Sequence, residues 1–186
     1  MAYKSEFGSV REINQRAEDL LNAGDFDGIR TLAANNGIPD MYVDAFFNGE
    51  SMEFVDPMGA ALGKLEMEEE DLNIEGVERD WIEYIKAQCM ENEVFAHQVV
   101  KKEKSLTYCL AKIAVWALIN AKPLPPEIIK EMERAGQENR AALQKVGIEQ
   151  RWIKYTKSGA PSSRQTKKLI REYYMEASHE NCLQSL

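Results

Sequence analysis

The chain has 186 residues, 44% of them hydrophobic and 29% charged, with a formal net charge of -8. That length supports one sizeable core or two small ones without staples, and the composition is that of an ordinary globular protein. No apolar run approaches the roughly 20 residues of a membrane span, and the opening MAYKSEFGSVREINQ has no signal-peptide core, so a cytoplasmic location is expected.

Cys89, Cys109 and Cys182 are odd in number, widely spaced and form no C-x-x-C pair, which signals neither a disulfide framework nor a zinc site. With only His97 and His179 available, a metal centre would need mostly carboxylate ligands, and neither metal nor cofactor is expected. Nothing local would activate His97 with Cys109 as a nucleophilic pair.

In chain order, helix signals dominate. In EINQRAEDLLNAG the residues Ile13, Ala17, Leu20 and Leu21 recur at helical spacing, and Gly24 offers a stop. DFDGIRTLAANNG reads as a second short helix ended by Asn36-Gly37. Pro39 suits the first turn of a third, which carries Met41, Val43, Phe46 and Phe47 to Asn48-Gly49. Asp56-Pro57 reads as an N-cap and first helical residue opening PMGAALGKLEMEEEDL, in which Gly59, Ala60, Ala61 and Gly63 would admit a close neighbour. VERDWIEYIKAQCM stacks Trp81, Ile85 and Cys89, with Ile82 beside them.

SLTYCLAKIAVWALINA is apolar nearly all round, so residues 105–121 are expected to form the central core helix, capped by Ser105. Pro123, Pro125 and Pro126 then mark a break. Two short helices should follow, ended by Gly136 and Gly147, then an irregular stretch, then RQTKKLIREYYMEA capped by Ser162 or Ser163. The expected architecture is all-α: a compact multi-helix bundle with an N-terminal helical hairpin and a basic C-terminal helix. It would divide into an acidic domain, 1–122, and a smaller basic region, 123–186.

Charge is unevenly written. Residues 40–93 carry sixteen acidic and three basic side chains, whereas residues 150–186 carry three and seven. The stretch RTLAANNGIPDMYVDAFFNGE has the cadence of a DNA-reading helix-turn-helix. Its second helix, however, bears Asp40 and Asp44, with Glu50 and Glu53 beyond, and docking it on a duplex would set carboxylates against phosphates. A hairpin packing Leu32, Val43, Phe46 and Phe47 explains the same residues without that conflict.

Two charged constellations remain. The carboxylates Glu66, Glu68, Glu69, Glu70, Asp71, Glu75, Glu78 and Asp80 either form a solvated helix end or imitate a phosphate backbone for a basic protein groove. Those at the end of their own helix oppose its macrodipole, and their spacing fits no EF-hand loop. The bases Arg151, Lys154, Lys157, Arg164, Lys167, Lys168 and Arg171 lie within 21 residues with no acid among them, a candidate phosphate-contacting patch. The simpler reading is a segment that docks on the chain's own acids or keeps a surface soluble. There is no P-loop, G-x-G-x-x-G, G-x-S-x-G or H-E-x-x-H, and no enzymatic activity is expected.

From Ile13 to Tyr174 the chain resembles small helical proteins carried by phages and conjugative elements of gut Firmicutes. The resemblance lies in AEDLLNAGDFDGIRTLAANNGI, PMGAALGKLEMEEEDL, DWIEYIKAQCMEN, SLTYCLAKIAVWAL and KKLIREYYM. EVFAHQVVKKEKSLTYCLAKIAVWAL is also similar to PcfK-like accessory proteins of conjugative plasmids. The resemblance implies an anti-CRISPR protein that inhibits a Cas9-type RNA-guided nuclease by binding it, the partner then being a protein whose channels are basic. The alternative is a nucleic-acid-binding accessory protein of conjugation or replication that works through its basic end. The resemblance carries over no individual functional residue.

Overall fold

The computed structural model describes residues 6–149 and 157–176. Ten helices form among these residues: α1 (Val10–Asn22), α2 (Phe26–Asn35), α3 (Asp40–Phe47), α4 (Pro57–Leu72), α5 (Val77–Glu91), α6 (Glu93–Val100), α7 (Leu106–Ile119), α8 (Pro126–Glu138), α9 (Arg140–Lys145) and α10 (Ser163–Met175). One minimal antiparallel pair, β1 (Lys122–Pro123) with β2 (Lys157–Ser158), matches Lys122 to Ser158 and Pro123 to Lys157. The fold is all-α.

Local chemistry sets most helix ends. Ser9 accepts the Glu12 N–H at 3.2 Å and Asp25 accepts that of Gly28 at 2.8 Å, each filling a donor that the first turn leaves empty. Asp56 does the same for Gly59 at 2.6 Å, with Pro57 directly behind it. Pro39 sits one place earlier than expected, as the N-cap of α3. Gly136 ends nothing: α8 runs through it to Glu138, and the residue is buried. Helix α6 is an element that periodicity did not reveal; Asn92 ends α5 and accepts the Phe95 N–H at 3.0 Å, so one residue stops a helix and starts the next.

The chain divides into two compact units, Met1–Lys112 with Arg164–Leu186, and Ile113–Ser163. The division falls within α7, not at the proline break expected to part residues 1–122 from 123–186, and α10 belongs with the N-terminal unit. The reason is burial: Ile170, Tyr173 and Tyr174 of α10 are enclosed there.

In the first unit, α1 lays Val10, Ile13, Ala17 and Leu20 inward, and α2 and α3 add Ile29, Leu32, Val43 and Phe46. Asn14 ties α1 to the segment before α4: its amide donates to the Val55 carbonyl at 3.0 Å and accepts the Val55 N–H at 2.9 Å. The small residues of α4 receive a neighbour's backbone. A Cβ on Gly63 would lie 2.5 Å from the Gly37 carbonyl oxygen, and Gly37 itself, at φ 64°, makes the turn between α2 and α3. Gly59 gives Tyr42 similar room. The α2–α3 hairpin is thus held against α4 by its turn, while Asp40, Met41 and Asp44 face solvent.

Helix α7 departs from the expected core helix. Leu106, Cys109 and Ile113 are buried, but Tyr108 is 60% exposed, Val115 51%, and Leu118 and Ile119 77% each. An almost uniformly apolar sequence has little moment, so periodicity could not say which side would be covered.

Candidate partner-binding surface

The acidic run straddles the four-residue turn between α4 and α5, whose helices pack on each other. Its members do different things. Glu66, Glu70, Asp71, Glu75 and Asp80 are exposed and Glu78 is half-buried. Glu69, only 18% exposed at its side chain, accepts from Lys86 at 2.7 Å and lies 4.0 Å from Arg79. Burial works against the Lys86 ammonium, yet the bond to Glu69, with Glu83 and Glu66 nearby, holds it above the ordinary lysine value.

Glu68 is no surface group at all. It is 7% exposed, and its Oε2 accepts the Leu106 N–H at 2.6 Å, which places a carboxylate at the open amides of α7. Its inclusion in a contact surface is therefore corrected: a carboxylate that caps a helix from inside the protein cannot meet a partner. The run's awkward position against the α4 macrodipole is resolved for Glu68 and Glu69, because partners brought from α7 and α5 outweigh it.

Glu68 belongs to a buried polar network that motif reading missed. One turn before it on the same face of α4, Lys64 is 4% exposed and donates to the carbonyls of Val99 at 2.9 Å, Lys101 at 2.7 Å and Lys104 at 2.6 Å. Three donors meet three acceptors, so one ammonium fastens α4 to the end of α6 and the loop beyond it. Burial pulls its pKa down to about 8, against the pull of Glu68 and Glu103, and it remains charged at pH 7. Burial raises the Glu68 carboxyl, with the Leu106 N–H and Lys64 working against the rise.

The loop's own Lys104 is buried as well. It donates to the carbonyls of Tyr173 at 2.6 Å and Glu176 at 3.0 Å, closing the last turn of α10. Tyr173 in turn accepts the Ser105 N–H at 2.7 Å, and Ser105 Oγ accepts from Tyr108 N–H at 3.2 Å, capping α7. The sequence signal was Lys64 with Glu68 at i, i+4 on a helix side otherwise made of small and apolar residues. Beside the network Cys89 and Cys109 are each 1% exposed, and burial pushes both thiols up to about 12. Tyr174, packed against Phe95 at 5.3 Å, is pushed well above the usual phenol range by burial first and then by Cys109 and Glu68.

Of the basic constellation, Arg151 and Lys154 lie outside the described residues. Lys157 is exposed in β2. On α10, Arg164, Lys167, Lys168 and Arg171 are exposed, while Thr166, Ile170, Tyr173 and Tyr174 face inward. Two of these cations are engaged with α5 through uncharged groups: Lys167 sits 4.9 Å from the Tyr84 ring centre, and Arg171 donates twice to Gln88 Oε1, at 3.1 and 2.8 Å. Lys168 lies 3.5 Å from Glu172 on its own helix. The basic helix therefore docks on its own chain, though not on the acidic turn.

A further cleft of about 390 Å³ opens between α1, the segment before α4, and α6, with Phe46 and Phe54 in its lining and Glu18, Glu53, Glu93, Arg11 and His97 around it. His97 lies 3.8 Å from Glu93. Among the described residues no group of His, Cys, Asp and Glu could hold a metal ion, and no helix is long and apolar enough to cross a membrane. Comparison with protein-family models, curated proteins and solved structures finds no match to this chain.

Proposed function

We propose that this chain is a non-catalytic protein of a mobile element that inhibits a Cas9-type RNA-guided DNA nuclease by binding it directly. Its contact is the set of carboxylates around the α4–α5 turn. The observation that supports this reading is that Glu66, Glu70, Asp71, Glu75 and Asp80 are all exposed within fifteen residues, on two helices that pack on each other and the turn that joins them. Dense negative charge on such a scaffold suits a channel that is built to hold nucleic acid.

The test is a target-cleavage reaction into which the protein is titrated, beside a gel shift of the same DNA without nuclease. Cleavage should stop near stoichiometric protein with free DNA unshifted. A variant carrying Glu66→Gln, Glu70→Gln, Asp71→Asn, Glu75→Gln and Asp80→Asn should lose inhibition and keep its melting temperature. Inhibition retained by that variant would reject the surface, and uninhibited cleavage by wild-type protein would reject the target.

A second reading, an accessory nucleic-acid-binding protein of conjugation or replication, is supported by the exposed cations of α10. It requires that the protein alone shift DNA, and that neutralising Lys167, Lys168 and Arg171 weaken the shift and flatten its salt dependence.

A further inference from the structure

In the second unit, Ile113–Ser163, most large apolar side chains among the described residues are exposed or half-buried. Among its described residues only Ile113 and Gly136 are buried, while Val115, Leu118, Ile119, Ile128, Val146 and Ile148 are exposed. Short helices gain most of their stability by burying an apolar side, so a unit like this is built to be covered.

Helix α8 organises that surplus. Ile128, Ile129, Met132, Ala135 and Gly136 follow the i, i+1, i+4, i+7, i+8 pattern of one helix side. Gly136 is buried and Ile129 half-buried, which leaves Ile128, at 47% exposure, with Met132 and Ala135 along the outer edge. These three line a shallow groove together with Glu127 and Glu131. Glu138 continues the same row, because positions 127, 131 and 138 fall together at 3.6 residues per turn. The apolar edge is thus bordered by three carboxylates. Arg134 stands beside Glu127 in the same row and is held to Glu131 at 2.8 Å, so three carboxylates and one cation leave the row net negative.

The charge selects the occupant. A second copy laid antiparallel along this edge sets Glu127 against Glu138 and one net negative row against another, and a parallel copy offers it no cation. A helix whose apolar stripe is bordered by lysine or arginine satisfies both the groove and the row. We infer that α8 is a docking face for a base-bordered amphipathic helix of another protein. This surface is separate from the α4–α5 turn and does not depend on the nuclease reading.

The test uses two labelled synthetic peptides of equal length with the same leucine stripe, one bordered by lysine and one by glutamate. Each is titrated with the full chain and followed by fluorescence anisotropy. The lysine-bordered peptide should bind at least about tenfold more tightly at low salt and lose that advantage as salt rises. The triple variant Glu127→Lys, Glu131→Lys, Glu138→Lys should invert the preference. Ile128→Ser should weaken binding of the lysine-bordered peptide without changing the melting temperature of the free chain. Equal affinities, a preference untouched by charge reversal, or binding untouched by Ile128→Ser would each overturn the proposal. So would a dimer in sedimentation that Ile128→Ser dissociates, since the occupant is then a second copy. A clear fall in the free chain's melting temperature on that substitution would also overturn it, because the face is then already packed within the chain.

Discussion

Replacing Lys64 with methionine tests whether the buried network, rather than helix propensity, holds the first unit together. Methionine keeps an apolar stem of similar length and deletes the ammonium. Of its three acceptors, the Lys101 carbonyl retains the Lys104 N–H at 3.0 Å, so the carbonyls of Val99 and Lys104 bear the loss. Leaving a buried acceptor short of its donor costs about 1–3 kcal/mol each. Glu68, 4.0 Å away, also loses its cation, and breaking a buried pair from one side costs about 3–5 kcal/mol in all. Proton uptake by Glu68 caps the sum, so the expected loss is about 3–5 kcal/mol, or about 10 °C in melting temperature. Urea unfolding followed by circular dichroism at pH 7 measures it.

The pH dependence has a fixed sign. Lys64 titrates at about 8 in the folded chain against 10.5 for an ordinary lysine. Between those values the unfolded chain holds the extra proton, so this group adds stability as pH rises through the window. The gap between wild type and variant should widen from pH 8 to 10.5 by up to about 3 kcal/mol. A loss below about 1 kcal/mol at pH 7, or a gap that narrows with rising pH, would refute the account.

Two further outcomes follow from the packing. Gly63→Ala places a methyl 2.5 Å from the Gly37 carbonyl oxygen and should cost about 2–3 kcal/mol, because the obstacle is backbone. Gly49→Ala, at φ 69° with open space around it, should cost only about 1 kcal/mol, and equal losses in thermal melts would contradict the close approach of the α2–α3 turn to α4. In a Cys182→Ser background, Cys89 and Cys109 should resist Ellman's reagent at pH 8 until the chain unfolds, since both are buried with thiols near 12. Prompt reaction of either thiol in the native protein would show that the core opens.

The opening hairpin, α4 and α10 are legible from a few residues each. Ser9, Asp25 and Asp56 satisfy first-turn amides within three positions of themselves, and apolar spacing states which side of α1 and α10 turns inward. Such signals are local, and a helix needs little more than local information to form. The acidic run is equally visible, but its split into exposed and buried carboxylates is not. Glu68 and Glu70 are the same residue type two positions apart, and the difference between them is the Leu106 amide, 38 positions from Glu68. Lys64 likewise finds its acceptors 35 to 40 positions on, where no periodicity points.

Sequence alone determined that this chain is helical, where most helices begin and that its charge is divided, because caps, spacing and composition act within a turn or two of their own position. Tertiary structure decided that α10 returns to complete the first unit, that α7 shows much of its apolar surface, and that Lys64, Glu68 and Lys104 work inside the protein. Those outcomes depend on which distant backbone groups lack a partner once the helices have packed, and that is a property of the packed chain rather than of any segment of it.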